Sequence, residues 1–383
     1  MRTPLPAGMR RYFLQALSMA VLIWGTASQV RAEDPPLPPV DRAKVDMAIQ
    51  KGAKWLEKHA WQPGAETAPT RPGGLDWLTR QAVVVKAVGS HKPLMDNPEF
   101  KKWADAIRRE APRTTLEATL RARAIAATST NAIQNQNDLL SYAFFLADNQ
   151  AQDGSWGPGK AVASPPESLM RPVPAVQPER RPLTWALRRT LIGRRTWGEP
   201  GDVCQSGLAL LGWAACLQSG LTPEPTAVAL AEKWLGDSQN EDGGWGGRKG
   251  EPSRLTTTAW GMGGLSTCLR LSKRVPDRDE RVQKAARWLG ANLKYEAKTE
   301  VDGPSRWFWL FCVKVAGEYA GTEWFDRLPW YKDGADWLLT AQHEDGSWGL
   351  AEEEEARVLD TCWAMMFLWR PLRTILYDPA PKR

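Results

Sequence analysis

Apolar side chains recur along this chain in stretches too long for strands and spaced for helices. Six of them, residues 76–89, 115–129, 203–218, 255–272, 305–318 and 357–369, are apolar nearly all round, as helices buried on every side are. Between them lie more amphipathic stretches, such as 226–239 and 281–293, whose Lys and Arg suit one solvated face. The alternation predicts twelve helices, six inside and six outside, and no β-rich stretch competes with it. The expected class is all-α.

A repeated element punctuates this alternation. Phe145-Leu146, Gln150, Gly154 and Trp156 are matched at identical spacing by Trp234-Leu235, Gln239, Gly243 and Trp245, and again by Trp337-Leu338, Gln342, Gly346 and Trp348. Each copy sets an aromatic–Leu pair near a helix end, then Gln, then Asp-Gly, where glycine takes the left-handed conformation that stops a helix. The indole that follows is expected to pack against the Gln and staple the turn to the next helix. Weaker echoes at Trp55, Trp103 and Trp288 bring the marks to six, separated by 48, 42, 89, 54 and 49 residues. The long gap contains residues 157–200, rich in Pro and Arg, and without those 44 residues it falls to 45. Six helical hairpins closing on themselves, an α/α toroid over residues 41–377 interrupted by an insertion at 157–200, is the architecture predicted.

The W-L-x-x-x-Q-x-x-x-G-[SG]-W element resembles the QW repeat of squalene and oxidosqualene cyclases, whose toroid is shared with protein prenyltransferase β-subunits. The resemblance implies a fold, and fold alone does not give function. Cyclases of this kind start by protonating a double bond or epoxide with an Asp made acidic in a D-x-D-D-T-A motif. The nearest segment here runs Arg357-Val358-Leu359-Asp360-Thr361-Cys362, keeping the last Asp and the Thr, with Arg357 and Leu359 in place of the other two carboxylates. Trp213, Trp260, Trp307, Trp309 and Trp363 are the cavity aromatics that would stabilise a carbocation through their faces; plain core is the competing reading of each. Prenyltransferases instead hold zinc through Asp-x-Cys and a His on the next inner helix. Asp202-Val203-Cys204 matches the first pair, but Thr256, Thr257 and Thr258 stand where the His would be. Asp-x-Cys recurs at Asp360-Thr361-Cys362, so a repeated helix cap is expected rather than a metal site.

Composition narrows the remaining classes. His59, His91 and His343 are the only histidines and are scattered, so no three-His site can form. The formal charge of +6 includes Arg2, Arg10, Arg11 and Arg31, and without these four it is +2. A chain so nearly neutral lacks the field of a nucleic-acid binder. Those arginines belong to residues 1–32, which read as a cleaved signal peptide with an apolar run at 12–27, short for a membrane span. Arg10-Arg11-Tyr12-Phe13-Leu14 also resembles a twin-arginine export signal. A Pro-rich linker follows at 33–40. The chain is thus expected to be exported, periplasmic or extracellular, and not integral to a membrane. Five Cys in apolar helical stretches read as buried thiols. Gly154–Lys160 mimics a phosphate loop but overlaps the repeated turn and ends in Ala161, so no cofactor is expected. His343 falls in a turn and is expected to be solvated.

Two charged regions stand apart. Between Arg171 and Arg195 there are seven Arg and one Glu, which read as a lid over the ring, a docking arm for an acidic partner or surface, or a loop without selected purpose; its contact with the acidic patch Glu352 to Glu355 is a hypothesis. Three functions are open to the chain. It binds an apolar, isoprenoid-like or polypeptide ligand in a ring whose catalytic motifs have decayed; it is a cyclase or transferase using Asp360 or Asp202 as a lone acid; or it is a glycan-active toroid with those two carboxylates across a groove.

Overall fold

The computed structural model describes residues 39–60, 75–89, 95–128, 132–162, 189–195, 198–295, 305–350 and 353–369. The signal at 1–32, most of the linker at 33–40, His91, and Arg171 to Arg188 lie outside them. Among the described residues there are twelve α-helices: α1 (Arg42–His59), α2 (Trp77–Val88), α3 (Pro98–Arg109), α4 (Thr115–Thr128), α5 (Ala132–Asp148), α6 (Val203–Leu217), α7 (Pro225–Asp237), α8 (Leu255–Leu271), α9 (Glu280–Asn292), α10 (Arg306–Ala320), α11 (Trp330–Ala341) and α12 (Glu354–Leu368). The even-numbered helices are the six apolar stretches. Each packs on the next even-numbered helix and α12 packs on α2, so they form a closed inner ring, with α1, α3, α5, α7, α9 and α11 outside it. The fold is an α/α toroid. No helix among the described residues is long and apolar enough to cross a membrane.

Local chemistry starts the inner helices. Asp76, Asp202 and Ser305 cap α2, α6 and α10 by accepting the amides of Thr79, Gln205 and Phe308, groups that would otherwise be unpaired at a helix start. The alternation of inner and outer helices makes the inner six parallel, so these caps mark one end of the ring, called here the near end. Asp76 also binds Arg121 of α4 at 2.9 Å, a buried guanidinium that ties two walls together.

The three repeated turns join the outer layer. Gln150, Gln239 and Gln342 each donate to the carbonyl of their own turn glycine and to a carbonyl of the next outer helix, Ala227, Arg281 and Ala48 respectively, at 2.8–3.0 Å. The last of these closes the ring, because Ala48 belongs to α1. Gly154, Gly243 and Gly346 have φ of +97°, +92° and +94°, and a side chain on any of them would collide with the main chain of that next helix. The stapling group is therefore the Gln amide, not the indole. Each Trp points inward, donating its Nε1 proton to the Leu carbonyl ten residues earlier, while its backbone amide binds a hydroxyl of the next inner helix: Ser206, Thr258 or Thr361.

Where the repeat is weak, tyrosine does the joining. Tyr142 of α5 donates to the carbonyls of Ile107 and Glu110 at the end of α3, and Tyr295 after α9 donates to the carbonyl of Trp330 in α11. Both ends of the 157–200 stretch are also fastened. Residues 157–160 bond Thr115 and Asn149, and a short strand, β1 (Arg189–Leu191), pairs in parallel with β2 (Leu221–Pro223), a small sheet not foreseen from the pattern.

Candidate functional site

Aromatic rings from three inner helices converge inside the toroid. Trp260 of α8, Phe308 and Phe311 of α10 and Trp363 of α12 contact one another with ring centres 5.0–6.3 Å apart. The inner order α2, α4, α6, α8, α10, α12 places α4 opposite α10, and Arg123 of α4 lays its guanidinium 4.8 Å from the centre of the Phe311 ring. That contact spans the ring. It divides the lumen into a near half, reached from the capped helix ends, and a far half toward the helix C-termini. Phe308 remains half-buried while its three aromatic partners are almost fully covered, so it presents the cluster to the near half.

Asp360 sits beside this cluster, three residues before Trp363 and in the second turn of α12. It is 7% exposed, and burial pushes its carboxyl up to about 6 against a hydrogen bond from Ser305 that pulls the other way. Gly349 makes room for it, since a side chain there would meet Asp360 Oδ2 at 2.8 Å. The Gly349 carbonyl is in turn held by the exposed ring of His343 at 2.7 Å. Where the ring closes, a shallow cleft opens between α1, α2 and α12. Trp77, Val84, Val358 and Leu359 line it, while His59–Glu354 and Arg80–Glu355 ion pairs stand beside them.

The sequence matches no protein-family model and no curated protein. Its fold does match solved structures. A Candida albicans protein geranylgeranyltransferase-I, complexed with GGPP, aligns at a TM-score of 0.52 and 12% identity, over 87% of this chain and 94% of that one. The apo type II terpene cyclase MstE from Scytonema aligns at 0.44 and 13%, over 85% and 98%. A protein from Actinoplanes aligns at 0.49 and 14%, over 85% and 98%. The likeness to the geranylgeranyltransferase is one of fold, the same α/α toroid.

Within that toroid the sequence-derived candidates separate. Trp260 and Trp363 lie in the central cluster. Trp309 does not: it meets Tyr295 edge-on with ring centres 6.1 Å apart, and Trp307 lies tilted against Trp337 at 5.0 Å, both toward the outer layer. Trp213 shares a helix face with Ser206, seven residues before it, whose hydroxyl takes the outer turn's Trp156 amide. It too faces outward, so Trp213, Trp307 and Trp309 leave the list of lumen residues. Phe308 and Phe311 take their places. They were passed over because phenylalanine in an apolar helix carries no polar handle to single it out.

Asp202 is a cap, its Oδ1 accepting the Gln205 amide at 2.8 Å. Asp360 is not, because α12 begins six residues earlier; the two Asp-x-Cys segments therefore do different things, against the expectation of a recurring cap. Burial raises the Cys204 thiol to about 12, so it holds its proton where zinc would need a thiolate. No group of three or more His, Cys, Asp or Glu able to hold a metal occurs among the described residues. The residues present do not fit a prenyltransferase zinc site. All five thiols are free. Arg357, at the cyclase motif's first position, binds Asp345 and Ser347 and lies over Trp55, bracing a turn. Glu354 and Glu355 meet His59 and Arg80, and Arg194 and Arg195 bind Asp148 and Glu224; Glu352 and Arg171 to Arg188 lie outside the described residues.

Proposed function

We propose that the protein is an exported toroid that binds an apolar, isoprenoid-like chain in the near half of its ring. The observation that carries this is the convergence of Trp260, Phe308, Phe311 and Trp363, with Phe308 left half-covered. Tilted and edge-on ring contacts of this kind favour polarisable, unsaturated hydrocarbon over water. The geranylgeranyltransferase of the same fold holds GGPP, which is consistent with such a ligand. The leader at 1–32 supports export, checked by sequencing the N-terminus of the mature protein. Native mass spectrometry with geranylgeraniol tests the binding. A 1:1 complex is expected, weakened about tenfold by Phe308→Ala, which corresponds to about 1.4 kcal/mol. Absence of any complex with the unaltered protein would overturn the reading.

One observation favours a second reading, a lone-acid cyclase. Asp360 is buried beside the aromatic cluster with its carboxyl raised to about 6, so near that pH about half of it carries a proton to give to an alkene. The ring faces would then stabilise the resulting carbocation. Asp360→Asn should abolish turnover of a polyprene and leave the fold intact; unchanged turnover removes this reading. The glycan reading is weakened at Asp202, whose carboxylate is committed to capping α6.

A further inference from the structure

The far half of the lumen has a different chemistry from the near half. Lys86 of α2, Arg123 of α4 and Lys314 of α10 come from three walls, and the charges of Arg123 and Lys314 both reach Lys86. Lys86 is half-buried with its Nζ 5.9 Å from the ring of Trp369, the residue that ends α12. Lys314 is 7% exposed and pairs with Glu318 at 3.0 Å. Arg123 lies on Phe311, and its Nη1 is buried without a hydrogen-bond partner among the described residues.

Charge around this group does not balance. The carboxylate that acts on both Lys86 and Arg123 is Glu318, already taken by Lys314. Tyr319 is neutral, its phenol pushed up to about 12 by burial. Arg270 of α8 adds another cation, donating to the Tyr319 carbonyl and facing Asp277. The α6 segment has no ionisable group except Cys204 and Cys216, and α12 keeps its charged residues in its first seven positions, toward the near end. Among the described residues two half-buried cations, Lys86 and Arg123, are thus left without a carboxylate of their own, a costly arrangement. Part of the cost is relieved at Lys86, whose ammonium burial and the neighbouring cations push down to about 7.

We infer that the far half of the ring is a binding site for an oxyanion, held between Lys86, Arg123 and Lys314. Such a group would supply the acceptor that Arg123 Nη1 lacks and restore the proton to Lys86. The inference is independent of the isoprenoid reading, because it rests on a different part of the lumen. The oxyanion is either a free ion or the head of an acidic amphiphile, and the same experiment separates the two.

Isothermal titration calorimetry of the full chain at pH 7, in two buffers of different ionisation enthalpy, would use sulfate, dodecanoate and, as a neutral control, dodecanol. Neither anion titrates at that pH, so any proton taken up belongs to the protein. Binding of at least one anion is expected, with uptake of up to about half a proton as Lys86 is recharged from near its midpoint. Lys86→Met should weaken anion binding at least tenfold and abolish the uptake. Lys86→Arg should keep the binding and lose the uptake, a result that loss of fold would not give. Dodecanol should bind equally to all three proteins or to none. Sulfate binding as tightly as dodecanoate assigns a free ion; dodecanoate alone assigns an amphiphile. Failure of both anions at millimolar concentration, or anion binding that ignores Lys86 and moves no proton, would overturn the inference.

Discussion

The two halves of the lumen face each other across one contact, Arg123 on Phe311, and bury opposite kinds of group. The near half holds clustered aromatics and the acid of Asp360, whose burial favours keeping a proton. In the far half, burial of Lys86 favours losing one. The same desolvation therefore gives the two halves opposite responses to pH, and one fold can present hydrocarbon recognition and charge recognition a few turns of helix apart.

The largest effect should come from the aromatic side. Trp363→Ala removes a buried indole from the central cluster and should cost about 3–5 kcal/mol, read as a lowered denaturation midpoint. Arg123→Met on the bridge should leave stability unchanged or raise it, since it removes a buried, under-partnered charge. A large loss for Arg123→Met would mean the two halves are not energetically distinct.

The pH responses sharpen the contrast. Asp360 has a folded value near 6 against an ordinary 3.8, so the folded state binds more protons between those values and stability falls as pH rises through that window. At about 1.4 kcal/mol per unit the loss is at most about 3 kcal/mol, and Asp360→Asn should flatten it in denaturant titrations between about pH 4 and 6. Lys86 runs the other way. Its folded value near 7 lies below the ordinary 10.5, so the unfolded chain binds more protons and stability rises between about pH 7 and 10. Lys86→Met should remove that rise, about 1–2 kcal/mol once screening by water is allowed for.

A smaller change provides the control. Gln342→Leu breaks the two bonds that close the outer layer and should cost about 1 kcal/mol. Both pH slopes should survive it, because the turn touches neither half of the lumen.

The toroid was legible because its signals repeat: three identically spaced turns, and six apolar stretches whose limits differ from the observed inner helices by three residues or fewer. The lumen was harder to read. Which face of an all-apolar helix turns inward depends on its neighbours, not on its own period, so Trp309 and Trp213 were placed inside while Phe308 and Phe311 were missed. The cationic cluster left a faint trace, Lys86, Arg123 and Lys314 each flanked by Val or Ala within an apolar stretch. Nothing in the sequence brings those three positions together; the closure of α12 on α2 does. Tyr142 and Tyr295, which join the outer helices where the Gln turn is absent, are equally silent, since a tyrosine hydroxyl reaching a distant carbonyl leaves no local pattern.

The central claim is that the bridged ring contains two separate halves with separate ligand chemistry. Native mass spectrometry of the full chain with geranylgeraniol and dodecanoate together tests it most directly. Two separate halves predict a ternary complex in which Phe308→Ala removes the alcohol and Lys86→Met removes the acid, each without affecting the other. Mutual exclusion of the two ligands, or loss of both through either substitution, would contradict it.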